Sequence, residues 1–248
     1  MLTQYRVELI PDQPCHSRPE WAYRLYAALL ELAPASFGEL VHEMRISPVS
    51  QYLDRREGRL LWTITLLGQQ AESVLGPLLQ EQKPIGLEKD RVLLRPVLRE
   101  VDHIADPEEL FARSAGTGFH HLEVRTAAGF KSRGQYQILP TSRLILQSLV
   151  KKWNGCVPEC PIEDEDGEGV DALAAGLVCR RFQLRDRIYF LKGSAIPGFV
   201  GTLTMENRLS GFQRELTDAL MTFSGYAGIG IKTSLGMGGV EQRRESSL

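Results

Sequence analysis

Residues 44–67, MRISPVSQYLDRREGRLLWTITLL, decide how this chain is to be read. Two runs rich in β-branched and aromatic residues, 44–53 and 59–67, flank a Glu57-Gly58 turn, which is the chemistry of an antiparallel hairpin. Upstream, residues 4–11 alternate apolar and polar with Tyr5, Val7 and Leu9 on one side, as a half-buried strand does. Pro19 then opens a helical pattern to Leu32, with Trp21, Leu25, Ala28, Leu29 and Leu32 on one face. Downstream, residues 69–80 read as a second helix and 90–97 as a last strand. The resulting order, βαββαβ, is that of a ferredoxin-like unit, an antiparallel sheet with two helices on one face.

The second half runs through a similar cycle. A strand at 119–126, a helix at 141–153, a strand pair at 177–191 and 198–205, a helix at 209–223 and a glycine-rich strand or loop at 229–240 follow one another. The expected fold class is therefore α+β, two tandem ferredoxin-like (βαββαβ) domains, with residues 1–114 as the first and 115–248 as the second. A length of 248 residues fits two modest cores.

No apolar run reaches the roughly 18 residues that a membrane span needs, and residues 1–12 lack the charged-then-apolar order of a signal peptide. The expectation is a cytoplasmic protein without a membrane partner. The net charge of −2 is unevenly spread. Residues 124–153 carry six bases and no acid, residues 159–171 seven acids and no base, and Arg180, Arg181, Arg185, Arg187 and Lys192 restore positive charge. Such segregation provides a basic face for a phosphate backbone, with the acidic run as a solvated loop; a mixed surface without a polyanion partner is the alternative. Four scattered cysteines (Cys15, Cys156, Cys160, Cys179) do not make a disulfide framework. Cys156, Cys160 and Cys179 invite a zinc reading, but CxxC spacing and a fourth ligand are missing, so no metal or other cofactor is expected.

The most specific segment is 225–239, GYAGIGIKTSLGMGG, with six glycines in fifteen residues around Lys232. Glycine permits close backbone approach and exposes successive amides, so Gly228, Gly230, Gly236 and Gly238 suggest a phosphate cradle. A tight turn between two elements is the competing reading. The pattern is neither a Walker loop nor a dinucleotide fingerprint, because GxxxxGK[ST] is absent and the run does not open a βαβ unit.

With this tail, the chain carries four ordered motifs: Phe130-Lys-Ser-Arg-Gly134 with Pro140, Ser148-Leu…Lys152-Trp-Asn154, a Pro197-Gly-Phe-Val-Gly201 turn, and Phe223-Ser-x-Tyr-Ala-Gly-Ile-Gly…Lys232-Thr…Gly-Met-Gly238. In them the chain resembles the CRISPR-associated endoribonucleases that cut repeat RNA, within the repeat-associated mysterious protein superfamily. The resemblance implies a cleft between two ferredoxin-like domains, one cut per repeat to give mature guide RNAs, and products with a 2′,3′-cyclic phosphate and a 5′-hydroxyl. It also implies that no metal is needed, because the ribose 2′-hydroxyl is the nucleophile.

Such a reaction needs a base, an acid and positive charge on the transition state, roles suited to histidine, arginine and lysine. The resemblance points to His42, just after the first helix and ahead of Ser47-Pro48, as the catalytic histidine. His16, His103 in a linker, and the pair His120-His121 are weaker candidates. The tyrosine that many members carry on the first helix is Tyr26 or Tyr23 here. The lysine they carry after the histidine is missing, since none precedes Lys83. Arg24, Arg45, Arg180 or Arg181 must then supply the cation. Lys131, Arg133, Lys151, Lys152, Arg180, Arg181 and Lys232 are the expected RNA contacts, chiefly to phosphates, and Tyr136 and Tyr226 are candidate stacking surfaces. The expected partners are CRISPR repeat RNA, a CRISPR interference complex that takes the product, and a second copy as a homodimer. Two alternatives stand beside this reading: a non-catalytic RNA-binding subunit of a CRISPR effector complex, and a ferredoxin-like small-molecule binding protein.

Overall fold

A computed structural model describes residues 1–243, and its first sheet grows from the hairpin. β2 (Val49–Arg56) and β3 (Arg59–Leu67) pair antiparallel, with Val49 opposite Leu66 and Arg56 opposite Arg59. Glu57 and Gly58 both take positive φ, 47° and 80°, which matches the turn to the right-handed twist of the strands. β1 (Leu2–Pro11), β5 (Val92–Ile104) and the short edge strand β4 (Ile85–Leu87) complete the order β2-β3-β1-β5-β4. α1 (Trp21–Leu32) and α3 (Gln69–Gln80) bury Trp21, Leu25, Leu29, Ala71 and Leu75 with Val7, Leu9, Trp62 and Ile64. Each large apolar side chain so buried contributes about 1.5–3 kcal/mol, enough to hold these helices to the sheet.

The second sheet joins β6 (Phe119–Ala128), β9 (Leu177–Leu191), β10 (Ser194–Asn207) and β11 (Val240–Arg243) in the order β11-β6-β10-β9. α5 (Ser142–Cys156) and α7 (Gly211–Ala227) cover it. Counted within each half, the four principal strands lie 4-1-3-2 in both sheets, the ferredoxin-like arrangement. A small hairpin, β7 (Phe130–Ser132) and β8 (Gln135–Gln137), projects between β6 and α5.

Several local expectations are corrected. α1 stops because Ala33 precedes Pro34 and is extended, and Pro34 caps a further helix, α2 (Ala35–Glu43), so His42 lies in the last turn of a helix instead of after one. β5 runs on to Ile104, which puts His103 on a strand, its Nδ1 3.0 Å from Thr3 Oγ1, and not in a linker. Asp106 then caps α4 (Pro107–Ser114) by accepting from the Glu109 amide at 2.8 Å. The acidic run is a loop only as far as Gly167, where α6 (Glu168–Gly176) begins. Pro197-Gly-Phe-Val-Gly201 is no turn: it lies inside β10, where the pairing with β6 slips between Phe199 and Gly201. A Cβ on Gly201, at φ 130°, would come within 2.0 Å of the Gln183 carbonyl oxygen, so only glycine fits this bulge.

The halves are tied at a shared seam. Leu2, Leu67, Ile104 and Leu110 join Leu122, Trp153 and Phe223 in the second core. Asp54 on β2 accepts from Arg56 Nε at 3.1 Å and from Arg125 Nε on β6 at 2.6 Å, while Arg56 reaches Glu241 on β11 at 2.7 Å. Tyr226 on α7 donates to Asp102 on β5 at 2.5 Å.

Candidate active site

Between the halves lies a cleft of about 500 Å³. The first half lines it with Tyr26 on α1, His42 on α2, and Arg45 and Ser47 in the segment entering β2. The second half contributes Lys131 on β7, Gln147, Ser148, Lys151 and Lys152 on α5, and Gly230, Lys232 and Thr233 from the glycine-rich loop. Five of the described lining residues are cationic (Arg45, Lys131, Lys151, Lys152, Lys232) and none is acidic. A concave site with one sign of charge concentrates anions.

Local structure explains each placement. His42 is exposed at the C-terminal end of α2, which Met44 closes by donating its amide to the Leu40 carbonyl at 3.0 Å. Tyr26 is 5% exposed, its ring in the first core and its hydroxyl 3.3 Å from Ser47 Oγ. Burial raises this phenol above the usual tyrosine range, so it is a hydrogen-bonding group and not an anion at neutral pH. Arg45 and Lys131, Lys151 and Lys232 are exposed, and their amines and guanidinium open on the cleft. Arg133 is exposed at the turn of the β7–β8 hairpin, at φ 49°.

Other candidates lie elsewhere. Arg24 is ion-paired with Asp90 and does not line the cleft. Arg180 and Arg181 are exposed on β9 outside it, and Arg180 stands 3.6 Å from Glu206. Tyr23 supports the tip of the β9–β10 hairpin, with the Lys192 ammonium 4.8 Å from its ring centroid. Of the remaining histidines, His120 is buried with its Nε2 2.7 Å from Asp218, His121 sits by Thr204, and neither lines the cleft. Tyr136 is 43% exposed on β8, while Tyr226 is held by Asp102 on another face of the junction.

Two expectations change in kind. Lys152 is 7% exposed and its Nζ donates to the carbonyls of Ala227 and Gly228 at 3.1 and 2.8 Å, so it is not an open phosphate contact. Burial lowers its ammonium to about 7, and raises the adjoining Cys156 thiol to about 12. Nor are the amides of Gly228, Gly230 and Gly238 an open cradle, since each is already bonded. The Ile229 amide donates to Gly238 O, Ile231 to Gly129 O and Gly238 to Ala127 O, each at 2.9 Å, and Gly230 donates to Ser148 Oγ at 3.2 Å. The glycines serve close packing instead: a Cβ on Gly230 would meet Gly129 O at 2.1 Å, and one on Gly236 would meet Tyr189 Oη at 2.4 Å. What the loop offers the cleft is the Lys232 side chain, carried on a left-handed residue at φ 57°.

Sequence reading singled out Ser148 and Lys152 but not their part in holding this loop, and it missed Gln51 and Tyr189. Ser148 and Lys152, spaced i and i+4, grip its start; Gln51 Nε2 donates to Ser234 O at 2.9 Å and Tyr189 Oη to Leu235 O at 2.7 Å, gripping its end. The i, i+4 spacing of two polar residues on an otherwise apolar helix face was the available signal. Cys156 is buried while Cys160 and Cys179 are exposed, and among the described residues no three His, Cys, Asp or Glu side chains gather as a metal site. No described helix is long and apolar enough to cross a membrane.

Residues 122–240 match the family model of the CRISPR-associated endoribonuclease Cas6. A Cas6 endoribonuclease of Streptococcus thermophilus is 27% identical over 234 residues, 93% of this chain and 95% of its own. This chain is similar to Cas6 endoribonucleases over nearly its whole length. Among solved structures, a Cas6 product complex superposes with a TM-score of 0.77 at 21% identity, covering 98% of this chain and 100% of the other. Cas6 of Thermus thermophilus gives 0.72 at 23% identity, with 98% of each chain covered. These Cas6 likenesses carry the fold, two tandem ferredoxin-like units, whose sheets and strand orders were described above.

Proposed function

We propose that this protein is a metal-independent endoribonuclease that cuts CRISPR repeat RNA into mature guide RNAs. The observation that carries the proposal is the convergence of Tyr26, His42 and Arg45 with Lys131, Lys151 and Lys232 on one cationic cleft. The similarity to Cas6 endoribonucleases supports the substrate. In this reading the RNA backbone enters the cleft along Lys131, Arg133, Lys151 and Lys232. His42 takes the proton of the 2′-hydroxyl next to the scissile phosphate. The 2′-oxygen then attacks phosphorus, the bond to the 5′-oxygen breaks, and the leaving oxygen takes a proton from the imidazolium of His42 or from water, giving a 2′,3′-cyclic phosphate and a 5′-hydroxyl. Arg45 and Lys232 offset the charge that builds on the phosphorane-like transition state, and the Tyr26 hydroxyl is a neutral donor beside them. Because the nucleophile belongs to the substrate, the step needs no metal-bound water. Arg24 is not carried forward as a catalytic group, since Asp90 already engages it. Arg180 and Arg181 on β9 are exposed to longer RNA outside the cleft.

The test is incubation of wild type and His42→Ala with labelled repeat RNA in EDTA, with a 2′-deoxy substitution at the cut as control. Wild type should cut once per repeat, His42→Ala should slow cutting by about 10²–10⁴-fold while still binding, and the 2′-deoxy substrate, which lacks the nucleophile, should not be cut at that position. Binding without cutting by wild type would replace this reading with that of a non-catalytic effector subunit. Normal cutting by the variant would remove His42 from the mechanism.

A further inference from the structure

The cleft's second-half wall depends on the glycine-rich loop, whose amides from Gly228 to Ile231 are already bonded, and its position depends on where it begins. α7 ends at Ala227, and the carbonyls of Ala227 and Gly228 at its C-terminus point at Nζ of Lys152. One turn earlier on α5, Ser148 accepts the Gly230 amide and donates its own hydroxyl to Ile145 O at 2.8 Å. The rest of that helix face is apolar, with Ile145, Leu149 and Trp153 in the second core. A buried ammonium is tolerated only where charge-assisted hydrogen bonds compensate its desolvation. A methionine would fill the same space at no such cost.

We infer that Lys152 is a positioning residue, which seats the start of the glycine-rich loop on α5 and thereby sets where Lys232 stands opposite His42. It touches no substrate. Gln51 and Tyr189 hold the far end of the loop, so without Lys152 its start is left with only its own amide bonds, to Ser224 O, Gly238 O, Ser148 Oγ and Gly129 O. A displacement of about 1 Å in a catalytic group is enough to slow a reaction ~10²-fold without loss of binding. The kinetic consequence rests on the nuclease reading above; the seating of the loop does not.

Hydrogen exchange over residues 228–239, followed by mass spectrometry, reads the seat directly, and single-turnover cutting of repeat RNA reads its consequence. In Lys152→Met the loop amides should exchange at least tenfold faster while peptides of β6 and α1 keep wild-type protection. The cutting rate at saturating protein should fall at least tenfold, with RNA affinity within threefold of wild type. Lys152→Gln, which keeps a neutral donor, should lie between the two in both measurements. Wild-type loop protection in a folded Met variant would overturn the inference, as would lost affinity at an unchanged cutting rate. Should the Met variant fail to fold, wild-type exchange in the Gln variant would overturn it equally. If wild-type protein neither binds nor cuts repeat RNA, the nuclease reading falls, and the exchange data alone decide the seat.

Discussion

At the residue scale, Lys152 makes stability depend on pH in the same direction as a carboxylate of lowered pKa, but in a higher pH window. Its ammonium gives up its proton near 7 when folded, against a usual value of 10.5. Between these values the unfolded chain binds more protons, so stability rises with pH. Cys156 works the other way: buried, its thiol stays protonated to about 12 instead of 9, and stability is lost as the unfolded thiol ionises. Chemical denaturation should therefore show stability climbing from about pH 7 to 9 and levelling or falling beyond. Lys152→Met should flatten the climb; an identical climb in that variant would show that burial of Lys152 is not its source. None of this was legible in the sequence, where Lys152 is one basic residue among six between 124 and 153. Whether an amine meets water or two carbonyls depends on what the fold lays over it.

At the scale of elements, the β9–β10 hairpin does more than extend the second sheet. Much of β9 is exposed, including Phe182 at 72%, but its end turns inward. Tyr189, 2% exposed, packs with Ala127, Leu191, Ile196 and Met237 in a third small core, and donates to both Leu235 O and Pro19 O, at 2.7 and 3.2 Å. One phenol thus joins the hairpin, the glycine-rich loop and the approach to α1. Tyr189→Phe removes the donor without emptying the space, and losing its part-buried hydrogen bonds to Leu235 O and Pro19 O should cost about 0.5–1.5 kcal/mol in denaturant unfolding. A loss below experimental error would mean that packing alone holds the junction. The elements themselves were largely legible: α3 is the predicted 69–80 and β9 the predicted 177–191, because two-residue and 3.6-residue periodicities survive in a single sequence. α2 and α4 were not, since each is short and set by a cap at Pro34 or Asp106 and not by a long apolar stripe.

At the scale of the whole molecule, the proposed function belongs to the junction of the two halves. The formal charge of the chain is −2, yet four exposed cations (Arg45, Lys131, Lys151, Lys232) and no described acid line the cleft, so affinity for RNA should come from local and not net charge. A plot of log affinity for single-stranded repeat RNA against log salt should be steep, and Lys131→Ala, Lys151→Ala and Lys232→Ala should each reduce its slope by about 0.7. Unchanged slopes in all three would place the RNA elsewhere on the protein.

The sequence by itself determined the two βαββαβ cycles, the hairpin turn at Glu57-Gly58, the segregated basic stretch and the resemblance that singled out His42, because each of these is written in residues close together in the chain. Only the tertiary structure decided which charges share a cleft. It withdrew Arg24 into a pair with Asp90, set Lys152 beneath the loop, and packed Gly230 and Gly236 against Gly129 and Tyr189. Those outcomes depend on contacts between residues far apart in sequence, such as Asp54 with Arg125 or Gln51 with Ser234, and local pattern carries no information about which distant partner a side chain will meet.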